Sequence, residues 1–68
     1  VIPPSKEEMD ILFKLTMQGD ILGIQERAEK LMRHSELKLF GENIYRLAKA
    51  LLIDDIQEFL DQFMKKEK

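Results

Sequence analysis

The chain has no cysteine and no tryptophan, and its 68 residues include one histidine, one tyrosine, three glycines and two prolines. Without cysteine no disulfide can form, and a lone histidine leaves too few soft ligands for a structural metal. A domain of this length buries only about 60% of the surface that its unfolded chain exposes. Stability must then come from helix packing, from self-association or from a larger parent protein. The first residue is Val1 rather than methionine, which leads us to expect a piece of a longer chain. Charge of one sign is also missing: 11 basic and 13 acidic residues leave a net −2. That balance gives no field for gathering phosphates, so nucleic acid is not an expected partner. No apolar run approaches the roughly 18 residues of a membrane span, and no basic-then-apolar leader opens the chain. Membrane insertion is therefore not expected, and a cytoplasmic location is. No segment alternates with period two and no Asn-Gly or Asp-Gly pair joins apolar runs, so strands are not expected. Glycine-rich phosphate loops, nucleophile elbows and metal-ligand spacings are all missing. We therefore expect no catalysis and no cofactor in this segment.

What is present is a set of apolar residues recurring at helical spacing. Residues 1–4, Val1-Ile2-Pro3-Pro4, read as a linker from a preceding domain, held extended by the two prolines. Ser5-Lys6-Glu7-Glu8 has the form of a capping box and starts helix 1, whose face carries Met9, Leu12, Phe13 and Thr16. Gly19 stops that helix and Asp20 caps the next, which forces a tight antiparallel hairpin. Helix 2 places Ile21, Ile24, Ala28 and Leu31 on one stripe, and Gly23 in its first turn reads as a site of close backbone approach. Helix 2 fades near His34, and Ser35 is the next candidate cap. Helix 3 buries Leu37, Phe40, Ile44, Leu47, Ala48 and Leu51, with Gly41 a weak point that could make its start a separate turn. Asp54 is expected to cap helix 4, which buries Ile56, Phe59, Leu60 and Phe63. Residues 65–68 form a lysine-rich tail that complements the last helix dipole. The fold class is all-α: two consecutive αα-hairpins packed as a small four-helix bundle over residues 5–64.

The two hairpins are offset by about 32 positions. Phe13-Lys14-Leu15-Thr16 falls on Tyr45-Arg46-Leu47-Ala48, and Ile24-Gln25-Glu26 falls on Ile56-Gln57-Glu58. That period is near the ~34 residues of tetratricopeptide repeats. The small–large pattern of such repeats is poorly matched, because Gly19 aligns with Leu51. Two hairpins are also fewer than the ~3 repeats a solenoid needs. A compact bundle is the preferred reading, and a repeat-like, protein-binding hairpin pair is the alternative.

His34 is the sole candidate phosphoacceptor or general base. The segment His34-Ser35-Glu36-Leu37-Lys38 has the residue types of a histidine kinase's phosphoacceptor motif but not its order, since Ser35 intervenes before the acid and the proline is missing. A phosphotransfer bundle would place its histidine in mid-helix, whereas His34 lies at an expected helix end, where it can interact with the final carbonyls. Histidine phosphotransfer through His34 stays a minor alternative. Asp54-Asp55 reads as a cap with dipole support rather than a metal or phosphoryl pair, as do Glu7, Glu8 and Asp10. Lys65, Lys66 and Lys68 lack interleaved aromatics, a weak case for nucleic acid or an anionic membrane.

The apolar excess points elsewhere. Ile11 and Leu15 sit beside the main stripe of helix 1, and Leu22, Leu39, Leu52 and Ile53 also fall off their stripes. Either helix 1 is central and touches two neighbours, or these residues form an exposed patch for a partner helix or a second copy. The candidate partner interface is Ile11, Leu15, Leu22 and Leu39.

Pro3-Pro4, Glu8, Leu12, Leu15, Gly19-Asp20, Ile24, Ala28, Phe40, Leu47-Ala48, Ile56 and Phe59-Leu60 together resemble a known tail. It is the short helical segment at the C-terminus of many bacterial, especially cyanobacterial, hybrid sensor histidine kinases and multidomain response regulators. The resemblance runs from Pro3 to Met64, and Gly41 stands where that tail more often has alanine. It implies a non-catalytic domain after a receiver or kinase core in a cytoplasmic two-component pathway. Its expected partners are proteins: its own parent domains, a second copy or a pathway partner.

Overall fold

A computed structural model describes residues 2–64, with side chains for 2–63. Four α-helices follow one another: α1 (Lys6–Gln18), α2 (Ile21–Met32), α3 (Lys38–Lys49) and α4 (Ile53–Met64), with a 3₁₀ turn over Ser35–Leu37 before α3. No strand occurs among the described residues. The lysine-rich tail, Lys65, Lys66 and Lys68, lies outside them.

Helix starts and stops come from local chemistry. The Ser5 hydroxyl accepts the Glu8 N–H at 3.3 Å, and Met9 N–H reaches the Ser5 carbonyl at 2.9 Å. The capping box is only half formed, because the Glu8 carboxylate turns away to Arg27 on α2. Asp20 caps α2 by accepting the Gly23 N–H at 3.0 Å. A β-carbon at Gly23 would lie 2.6 Å from that Asp20 carboxylate. The close approach expected at Gly23 is thus to the cap itself and not to another backbone.

Ser35, Asp54 and Leu51 depart from expectation. Ser35 does not cap a helix: it opens the 3₁₀ turn, in which Leu37 N–H bonds the His34 carbonyl at 2.9 Å. Asp54 is not the cap of α4. That helix begins at Ile53, its Ile56 N–H bonds the Leu52 carbonyl, and Asp54 and Asp55 sit in its first turn, where acids favour the helix dipole. Leu51 does not continue the buried face of α3. It takes a left-handed φ of 60° after the helix ends and is 69% exposed.

Leu51 is the counterpart of Gly19, and both occupy the same motif. Gly19 (φ 69°) donates to the Thr16 carbonyl, and Asp20 N–H bonds the Leu15 carbonyl at 3.0 Å. Leu51 donates to the Ala48 carbonyl, and Leu52 N–H bonds the Leu47 carbonyl, both at 3.0 Å. Each is a Schellman C-cap, which satisfies carbonyls that the helix leaves open. The helix starts repeat as well: Lys6 maps on Lys38 and Ile21 on Ile53.

The duplicated hairpins close into a ring and do not open into a solenoid. Each helix touches the next and α1 also touches α4, while the diagonal pairs α1/α3 and α2/α4 have no Cα atoms within 8 Å. The core is Met9, Leu12, Ile24, Ala28, Leu31, Phe40, Ile44, Ala48, Ile56 and Leu60. The duplicated pairs Leu12/Ile44, Ile24/Ile56 and Ala28/Leu60 are all fully buried.

The two sides of the ring differ. The α2–α3 contact is by far the most extensive, and Gly41 explains why. A β-carbon there would sit 2.9 Å from the Ala28 carbonyl oxygen and 3.1 Å from the Met32 nitrogen. The early part of the expected helix 3 is indeed a separate turn, Ser35–Leu37, but Gly41 is not its cause: it lies inside α3, buried, where two helix backbones meet. The counterparts of Gly41 and Ala28 on the α1–α4 side are Met9 and Leu60, also buried, whose bulk holds those helices farther apart.

Candidate functional site: the turn end of the bundle

The ring runs up and down. Glu8 meets Arg27 across the first hairpin, Phe40 meets Phe59 across the second, and Met17 near the end of α1 meets Gln57 near the start of α4. Both tight turns, residues 19–20 and 50–52, therefore lie at one end, and the α2–α3 link lies at the other.

The turn end exposes several large apolar side chains beside polar ones. Met17 (65% exposed), Leu22 (71%), Leu51 (69%) and Leu52 (43%) lie in or next to the two turns. Gln57 Nε2 lies 3.9 Å from the Met17 sulfur and joins this surface to α4. From Gln57 an open groove continues along α4, lined by Asp54, Asp55, Glu58 and Asp61. Those carboxylates do not converge on a point, and no cluster among the described residues could hold a metal ion.

The expected interface residues are spread over the molecule. Leu22 lies at the turn end. Leu39, 61% exposed, lies in the first turn of α3, at the opposite end and about 18 Å away along a helix of twelve residues. Ile11 lies midway along α1 and is only 37% exposed, and Leu15 is half-buried against the core. α1 does touch two neighbours, α2 and α4. The four residues are thus not one surface. Sequence reasoning missed Met17 and Leu51, and the signal for Leu51 was available: alignment on Gly19 marks it as the residue that must turn left-handed and so leave the helix.

His34 is exposed in the link between α2 and the 3₁₀ turn, with extended backbone (φ −100°, ψ 122°). It borders an open groove with Arg33, Ser35, Ser5 and the two prolines. The histidine is therefore placed between helices and not on one.

Arg27 is held in a two-point ion pair. Its guanidinium donates to both Glu8 carboxylate oxygens, at 2.8 and 2.5 Å, and this fork-to-fork pair holds its pKa above the usual arginine value. The pair clamps α1 to α2 and supplies no reactive centre.

No described helix is long and apolar enough to cross a membrane. In comparisons with known proteins, the chain matches no family model, no curated protein and no solved structure.

Proposed function

We propose that this chain is a non-catalytic helical interaction module belonging to a two-component signalling protein, a hybrid sensor histidine kinase or a response regulator, and that it docks on a protein surface in the cytoplasm. The signalling context rests on the resemblance of residues 3–64 to the tail of such proteins. The docking role rests on Leu51. A leucine in the left-handed region costs about 1–2 kcal/mol, and glycine would relieve it, as Gly19 does in the matching turn. Folding gains little from this side chain, which is 69% exposed and lies outside the core. A strained residue held out to solvent supports a role outside the fold. Leu22, Leu52 and Met17, in or beside the two turns, add exposed apolar side chains at the same end, the kind of surface that marks contact sites.

Calorimetric titration of this chain with the receiver and the kinase core of its parent protein tests the reading. Binding is expected, and Leu22→Ser/Leu51→Gly should weaken it about tenfold or more, as loss of anchoring side chains does. Leu51→Gly should leave the fold at least as stable, which separates lost contact from lost structure. Failure of both domains to bind, or equal binding by the double variant, overturns the proposal.

A further inference from the structure

The chemistry of the partner can be read from how the turn end is built, an inference that rests on the docking role above. Apolar and acidic surfaces adjoin there and are joined through the Met17–Gln57 contact. On one side lie Met17, Leu22, Leu51 and Leu52; on the other lie Asp54, Asp55, Glu58 and Asp61 along α4. Asp20 adds a further exposed carboxylate beside the first turn. Lys49, at the end of α3, lies over the Tyr45 ring at 5.7 Å from its centroid. Dipole support accounts for Asp54 and Asp55 in the first turn of α4, but Glu58 and Asp61 lie beyond the reach of that effect.

We propose that the turn end binds a cationic amphipathic segment of a partner protein. Its apolar side chains would seat on Met17, Leu22, Leu51 and Leu52, and its lysines or arginines would lie along the α4 acids. This is helix-on-surface recognition with charge complementarity fixing register and partner choice. A second copy joined end to end is disfavoured, because it would set Asp20, Asp54 and Asp55 against their own images.

The test uses the full chain, labelled with ¹⁵N, and a synthetic helical peptide of about 18 residues with leucines on one face and lysines on the other. A twin with glutamate for every lysine serves as the control. The lysine peptide should shift the amides of Met17, Gly19, Leu22 and residues 51–58. The glutamate twin should not bind. Raising salt from about 0.05 to 0.3 M should weaken binding several-fold. Asp54→Asn/Asp55→Asn should weaken it about fivefold, whereas Glu26→Gln/Glu29→Gln, the same charge change on α2, should alter it less than about twofold. Equal effects of the two pairs would mean bulk charge attraction and would overturn the inference. So would shifts centred on Leu39, equal binding of the twin, no binding, or a concentration-dependent dimer through the same residues. If the parent domains bind in calorimetry while the peptide does not, the docking role stands and this account of the partner falls.

Discussion

The two hairpins share one backbone plan and fill it in opposite ways. Glu8 and Arg27 in the first occupy the positions of Phe40 and Phe59 in the second, and each pair ties its two helices together. In the first hairpin the tie is an ion pair with side chains 18% and 30% exposed. In the second it is an aromatic contact with ring centroids 5.2 Å apart, extended by Phe63 at 5.3 Å from both rings. Partly solvated ion pairs contribute up to about 1 kcal/mol, whereas a fully buried Phe side chain is worth several. Equivalent geometry therefore does not mean equivalent stability, and the aromatic tie should contribute more than the ion-pair tie.

The largest break in this comparison should come from Phe40→Ala. It removes the fully buried ring of the aromatic trio and should cost about 3–5 kcal/mol, enough to leave much of so small a domain unfolded in urea titration. Gly41→Ala comes next. Helix propensity favours the change by about 1 kcal/mol, but its β-carbon meets the Ala28 carbonyl at 2.9 Å, and a backbone atom cannot swing away as a side chain could. We expect a net loss of about 1–3 kcal/mol by urea midpoint, and a stabilised variant would refute the close-approach account. The turns give a matched pair of smaller effects. Gly19→Ala meets no atom within 4 Å, so its cost of about 1 kcal/mol is conformational strain alone. Leu51→Gly should go the other way, raising stability by about 0.5–1 kcal/mol in thermal unfolding. If both changes destabilise, the left-handed turns are not equivalent. The smallest effect belongs to Glu8→Gln, expected to cost less than about 1 kcal/mol and to shrink further in high salt.

The four helices and most of the core were legible in the sequence, because burial every three or four positions leaves a periodic trace. Ile24, Phe40, Ile44, Ile56 and Leu60 sit where that spacing puts them. The Gly19-Asp20 turn was legible too, since its residues have the preferences that the motif demands. The matching turn was not, because Leu51 has the wrong chemistry for its backbone, and a leucine following an apolar stripe reads as one more buried position. Gly41 misled for a related reason. Propensity treats an interior glycine as a flaw, and only the neighbouring helix reveals that the missing side chain makes room for α2. The candidate surface was least legible of all: Leu22 was singled out and lies within it, but Leu39 lies at the other end. Exposed residues carry no periodic signature, so their grouping depends on how the helices are arranged.

The closed ring has a topological corollary. Because α4 returns to lie against α1, the order of the helices is circular, and the break between them could sit elsewhere. A permuted polypeptide starting at Lys38, running through α4 and rejoined by a short bridge to α1, would give every helix its present neighbours. By the same logic, two molecules that straightened the segment between Arg33 and Lys38 could trade hairpins and rebuild two complete rings.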